Sequence, residues 1–297
     1  MASQEMLHLL RQGVDSWNEV RQTHLVKQGI RPDFSGADLS GAELAGAILS
    51  KANLAGVNLR KAVMPKADMS QSNLTGANLS YADLRWIHLE AADLHQADLH
   101  GADLSEANLA DVILVKANLC KARLQRAKLL RANLTQIILR GADLLDARLS
   151  HAEMSGADLR GADLRHANLE GVNLDGANLS LADLDGANLQ QASLRGANLC
   201  GTNLNRAQLL KTNLEGANFE TAFLSQADLS RAEVKGASFK RTDLWAATLM
   251  GVNLREANLE GANLAAAILP EGFIWRGMPT DSLDDDFDST EFPTVNA

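Results

Sequence analysis

From Phe34 to Leu269 a large apolar residue stands at every fifth position without a single insertion or deletion. In the stretch GADLRGADLRHANLEGVNL, residues 156–174, these are Leu159, Leu164, Leu169 and Leu174. A step of five residues turns about 140° around an α-helix and changes face at each recurrence in a flat strand, so neither element buries the whole series on one side. The pattern predicts a chain that turns a corner every five residues and points every fifth side chain at a common axis. Of 48 such centres, 41 are Leu and the others are Phe34, Met64, Met69, Met154, Phe219, Val234 and Phe239. The residue two before the centre is Ala in 37 units, the residue just before it is Asn or Asp in 31, and the second residue after it is Gly in 18. An internal repeat of this extent outranks local propensity in deciding the fold.

Four corners close most simply into a square coil of 20 residues, and coils stack like strands of a parallel sheet at about 4.8 Å. The 48 units then make 12 coils and a shaft of roughly 57 Å. Leucines fill its interior, and the small Ala two residues earlier lets the walls approach. Gly two after the centre suits a corner with positive φ, as in a type II turn. These glycines are distributed eight, six, two and two over the four faces, which predicts more uniform corners after the first two. Ile87 and Ile137 put branched bulk at the narrow Ala position and predict a wider wall or a changed corner.

The succession ADLSGAELAGAILSKANLAGVNL (37–59) and its continuation to Leu269 resembles the pentapeptide-repeat proteins, whose unit is written A(D/N)LXX. The resemblance implies an all-β solenoid, a right-handed quadrilateral parallel β-helix. Many members of that family are cyanobacterial; a few resemble duplex DNA and shield topoisomerase, and others modulate regulatory proteins by direct contact. The repeat itself carries none of these functions.

Outside the repeat, residues 1–33 predict an N-terminal helical cap. Ser3 caps a first helix with Met6, Leu7 and Leu10, Gly13 bends or ends it, and residues 15–28 form a second with Trp17, Val20, His24 and Leu25 or Lys27 towards one side. The surface they cover is the open end of the first coil, whose unpaired backbone groups invite edge pairing. At the other end Pro270 stops the repeat, Phe273, Ile274 and Trp275 close the last coil, and an acidic tail with six Asp or Glu after Thr280 is expected to be flexible. The expected division is thus 1–33, 34–269 and 270–297. The tail is expected to keep the chain in solution, with a short recognition motif around Phe287 and Phe292 as the alternative.

Composition narrows the function. Only 4% of the 297 residues are aromatic, and no run of 18 apolar residues predicts a membrane span. The start MASQEMLHLLRQG has neither a basic lead nor a continuous apolar segment, so the expected location is the cytoplasm. Of seven His, only His95 and His100 lie one corner apart, too few for a zinc site. Cys120 and Cys200 stand four coils apart, roughly 19 Å, too far for a disulfide. A leucine-packed shaft leaves no apolar pocket between elements, and the glycines precede corners rather than a phosphate-binding helix. No catalytic, cofactor-binding or metal residues are assigned, and a non-enzyme is expected.

Charge directs attention to the outside of the shaft. The chain carries a net −9, but residues 34–269 hold 23 Lys or Arg against 26 Asp or Glu. That is far sparser than duplex DNA, with one charge per roughly 1.7 Å. A partial ladder of Asp83, Asp103, Asp143, Asp163 and Asp183 is broken by Arg123. Against it stands a basic belt, Lys116, Lys121, Arg123, Arg126, Lys128, Arg131, Arg140 and Arg148, opposed by only Asp143 and Asp146 within residues 113–149. Val115, Leu130 and Leu145 lie at outward positions in the belt, an apolar centre with an Arg rim of the kind found in protein interfaces. Tyr81 and Trp86 form a second candidate contact one corner apart. Phe223 and Trp245 share a face in successive coils and predict a covering element, either Phe273 to Trp275 or a second chain. The resulting expectation is a non-catalytic interaction scaffold or regulator with an acidic protein partner, no nucleic acid or membrane, and a monomer favoured over a dimer. The alternatives are a DNA mimic that binds a topoisomerase and a spacer without a specific partner.

Overall fold

The computed structural model describes residues 4–25 and 27–273. The chain opens with α1 (Gln4–Gln12) and α2 (Val14–Val20), and α2 runs on into a π-helical turn, Arg21–Leu25. Gly13, at φ 137°, separates the two helices. Leu10, Val14, Trp17, Arg21 and Leu25 follow a three-or-four spacing and lie on the inner side, whereas His24 and Lys27 are exposed. The π-helical turn ends the second helix before residue 28, so His24 leaves the covered side. Ser3 lies outside the described residues.

The cap works mainly through hydrogen bonds to the open edge of the first coil. Trp17 is wholly buried, edge-on to Phe34 at 5.4 Å, and its indole Nε1 donates to the Ile48 carbonyl at 2.9 Å. Asn18 receives the Ile48 N–H at 2.8 Å and donates to the Gly46 carbonyl at 3.0 Å. Arg11 reaches the Asp38 carbonyl at 3.2 Å. Part of the backbone edge that an earlier coil would have paired, the Asp38 carbonyl and both backbone groups of Ile48, is thereby satisfied.

Beyond the cap, the rungs pair in parallel with the residue 20 positions on, as in Asp33 with Asn53 and Asn53 with Asn73, with one exception near the C-terminal end. The result is a four-sided β-helix. Along a side the unit accounts for nearly all its backbone donors. In the unit around Leu74, Asn73 N–H donates back to Ala52 at 2.9 Å, Leu74 N–H forward to Asp93 at 2.6 Å and Gly76 N–H forward to His95 at 2.9 Å, while Ala77 N–H closes the corner onto the Leu74 carbonyl at 2.9 Å. The remaining donor, Thr75 N–H, goes to Asn73 Oδ1 at 3.0 Å. The Asn or Asp before each centre is thus an Asx-turn acceptor, and its amide also bonds along the column, as Asn53 Nδ2 does to Asp33 Oδ1 at 3.0 Å.

The corners are more uniform than the glycine distribution predicts. Positive φ occurs at the second residue after every centre from Gly36 to Ala266 except Glu256, on all four faces and at 28 non-glycine residues. With negative φ at the preceding residue and the closing bond three residues on, these are type II turns. Left-handed conformation costs a non-glycine residue about 1–2 kcal/mol, and stacking offsets it, since each such N–H is placed to bond the next coil. The corners beside Ile87 and Ile137 are equally unchanged, with φ 58° at Trp86, φ 56° at Gln136 and closing bonds of 3.2 and 3.1 Å. Ile137 lies against a narrow space between Leu124, Leu134 and Leu144, so its extra carbons are taken up inside the shaft without a different turn. At Glu256 the turn becomes 3-10 helical (Leu254–Glu256), and the rung from Glu233 to Asn253 is missing.

The interior is one continuous column of buried Leu and Ala, with Phe219 and Phe239 stacked at 4.8 Å. Thr202, Thr212 and Thr242 replace Ala and are also buried, their hydroxyls donating to the carbonyls of Leu179, Leu189 and Phe219. Phe273 packs half-buried against the end of this column. Ile274, Trp275 and the acidic stretch lie outside the described residues.

Candidate protein-interaction surface

The shaft sends its interior residues inward and leaves chemistry to three outward positions per unit. Tyr81 and Trp86 sit at the positive-φ corner position, which throws the side chain outward, and they are 51% and 40% exposed. Tyr81 lies edge-on to His100 at 5.3 Å over Gly101, where a Cβ would come within 2.8 Å of the ring. Trp86 carries cations on its ring, with Arg85 at 5.4 Å and Lys66 at 5.8 Å from the centroid. Arg85 is fixed by two bonds to Asp83, at 2.8 and 2.6 Å, and this pairing holds the Asp83 carboxyl below its ordinary range.

The belt is more neutralised than its linear charge count predicts. Arg123 pairs with Asp103 at 3.5 Å, Arg126 with Asp146 at 3.7 Å, Arg131 with Asp111 at 2.6 Å and Arg140 with Asp158 at 2.6 Å. Asp158 also receives Arg160, whose hydrogen bonds are the main cause of a carboxyl pKa pulled down to about 2, with Arg140 contributing less. Among the described residues Lys116, Lys121, Lys128 and Arg148 have no such carboxylate. Lys116 and Lys121 stand at different corners, but Lys128 and Arg148 occupy successive rungs of one face, paired through their backbones. Together with Trp86, Glu106, Arg126 and Asp146 they line one shallow concavity.

The expected apolar centre is not assembled. Val115, Leu130 and Leu145 follow centres on three different faces, and only Leu130 is exposed. The structure groups Trp86, Arg126, Lys128 and Arg148 at one concavity; Leu130 follows Leu129 at the far end of the Lys128 side, Arg131 stands at the next corner, where it pairs with Asp111, and Lys121 and Arg123 lie on the other side of the Arg126 corner. Phe223 and Trp245 are exposed on one face in successive coils. Phe273 belongs to the end of the core, and Trp275 lies outside the described residues.

Among the described residues no three His, Cys, Asp or Glu side chains gather as a cation site, and no helix is long and apolar enough to cross a membrane. Cys120 and Cys200 are both free and half-buried. Sequence reasoning missed the cross-coil ion pairs and the cap residues Arg11, Asn18 and Arg21. The ion pairs were readable at separations of 18 to 21 residues, about one coil; the cap contacts have no such period.

Comparison with known proteins gives a family and no closer identity. The model of pentapeptide repeats matches in segments that run from residue 33 to residue 271. A solved structure of HetL, a pentapeptide repeat protein involved in heterocyst differentiation regulation from the cyanobacterium Nostoc, is 34% identical, with 84% of this chain and 96% of that chain covered and a TM-score of 0.37. A trypsin-treated variant of QnrB1, a plasmid-mediated fluoroquinolone resistance protein, is 21% identical over 64% of this chain and 89% of that chain, with a TM-score of 0.50. A pentapeptide repeat protein of the Arabidopsis thaliana thylakoid lumen is 32% identical over 36% of this chain and 68% of that chain, with a TM-score of 0.19. Among curated proteins none matches. The repeat that builds the shaft and the family model that spans it agree, and the chain belongs to the pentapeptide-repeat family.

Proposed function

We propose that this protein is a rigid, non-catalytic interaction rod that regulates or scaffolds an acidic protein partner in the cytoplasm, as a monomer. In this reading the rod is a right-handed coil of about 12 turns, with residues 1–33 as its cap and 270–297 as its closing segment and tail. The contact surface is the concavity of Trp86, Lys128 and Arg148 with Leu130 and Arg131 beside it.

One observation carries the reading. Of the eight positions between 113 and 148 that precede a centre, five lack Asn or Asp, against 12 of the other 40. At Lys128 and Arg148 the unit gives up its Asx acceptor and sets two like charges side by side, a pairing that costs stability on a sheet. Positions where a protein breaks its own local rules are where function is expected. A cationic, Trp-bearing hollow fits a partner that presents carboxylates next to an apolar side chain.

The DNA-mimic reading has the acidic ladder in its favour, yet most of that ladder is neutralised. Asp83 is held by Arg85, Asp103 by Arg123, and Asp163 by Arg165, which also approaches Asp183 at 3.8 Å. Affinity capture with the full chain and with Lys128→Glu/Arg148→Glu separates the readings. Interaction through the hollow predicts an acidic protein captured by the first and lost by the second. A topoisomerase captured equally by both supports the mimic, and specific capture of nothing supports the spacer.

A further inference from the structure

The cap buries a charged side chain, Arg21, that makes no ion pair among the described residues. Arg21 is 4% exposed, and among the described residues no carboxylate lies within ion-pair distance of it. Its Nη2 donates to the Ser50 carbonyl at 2.8 Å and its Nη1 to the Ile30 carbonyl at 3.4 Å, while Nε is buried without an acceptor. Burial pushes the Arg21 pKa down, and the more distant Asp68 opposes this only in part. Asp68 itself is engaged by the Ser70 N–H at 2.9 Å and the Ser70 hydroxyl at 2.7 Å.

Next to Arg21 opens a cavity of about 330 Å³ between the cap and the first coil, lined otherwise by Gly29, Ile30, Arg31, Ser50 and Lys51. Its wall therefore holds three cations and no acid. Neither Arg31 nor Lys51 has an ion pair among the described residues, and both are exposed. Carbonyl oxygens solvate a guanidinium but do not neutralise it, and a buried charge without a partner is costly. A bound anion removes that cost and relieves the mutual repulsion of Arg21, Arg31 and Lys51.

We propose that this cavity is an oxyanion site, for a carboxylate or a phosphate group, that clamps the helical cap onto the first coil. The planar donors of the arginines suit either oxyanion, and the Lys51 ammonium adds a point charge at the mouth. The site lies at the cap and the first coil, shares no lining residue with the Trp86 hollow, and does not depend on the function proposed for that hollow.

The test uses the full chain in thermal unfolding with sodium phosphate, sodium acetate or sodium chloride at fixed pH and ionic strength. Phosphate, acetate or both should raise the Tm above the chloride value, increasingly with concentration, and which of them does so identifies the group that the site takes. In Arg31→Gln/Lys51→Gln, whose changed side chains are exposed, the increment should disappear, and calorimetric titration of the effective anion should show at least tenfold weaker binding. Arg21→Met should abolish the increment as well; if that variant does not fold, the double variant decides. Equal Tm in all three salts, or an undiminished increment in the double variant, overturns the proposal.

Discussion

Leu164→Ala probes the shaft where it is most constrained. Leu164 is 1% exposed, and Leu144 and Leu184 occupy the same place one coil before and after. Truncation removes three carbons, a transfer loss of about 2.4 kcal/mol at roughly 0.8 per carbon. The wall cannot collapse into the space, since Leu164 N–H bonds Asp183 at 2.6 Å, Asp163 N–H bonds Ala142 at 2.9 Å and His166 N–H bonds Asp185 at 3.0 Å. A cavity term of about 1–2 kcal/mol therefore adds, for a total of about 3–4 kcal/mol. Leu264→Ala is the control. It stands in the same column at 6% exposure, in the last coil, where no following rung holds the wall and frayed ends already open, and it should cost about 1–2 kcal/mol. Urea denaturation followed by circular dichroism measures both, with equal slopes making the midpoints comparable. An unchanged midpoint for Leu164→Ala, or equal losses at the two sites, refutes the argument.

Three further outcomes follow from the same geometry. Asp158, whose pKa is pulled down to about 2 by Arg160 and Arg140, contributes stability that is complete above the unfolded value of about 4 and is lost as pH falls towards the folded value; thermal melts between pH 5 and 2 should therefore decline more steeply for the natural chain than for Asp158→Asn. Gly176→Ala meets no atom within 4 Å but keeps a φ of 65°, so chemical denaturation should show a loss of about 1 kcal/mol from backbone strain alone. Asn73→Ala takes the acceptor from both Thr75 N–H and the Thr75 hydroxyl and should cost about 1 kcal/mol in the same assay.

The phase of the leucines was legible because a five-residue corner leaves a five-residue trace, and the pairing of residues 20 apart followed from closing four corners. The corner conformation was legible at Gly36 or Gly176 but not at Gln71 or Tyr81, where neighbouring coils impose positive φ on residues that do not seek it. The Asx role of the residue before each centre was visible as a composition and not as a bond, since the bond is understood only once Thr75 N–H is seen to lack any other acceptor. Counting charge in a linear window overstated the belt: Asp103, Asp111 and Asp158 fall outside residues 113–149 yet pair with Arg123, Arg131 and Arg140 one coil away. The Trp86 hollow was half legible, as an exposed aromatic and a basic stretch that the fold places together at one corner. Arg21 was not, because its burial depends on how the cap docks on the first coil.

The central claim is that sequence separation converts into axial rise, one rung per 20 residues. Spin labels measure it directly, and the chain provides a pair: Cys120 and Cys200 stand four rungs apart in one column, so their backbones should lie about 19 Å apart at about 4.8 Å per rung. In a chain without those cysteines, Ser40→Cys and Glu260→Cys mark the same column 11 rungs apart and should give about 53 Å. Two narrow distance distributions near these values, in a ratio close to the ratio of rungs, are what the rod predicts. A long pair no farther apart than the short one, as a compact globule would give, contradicts it.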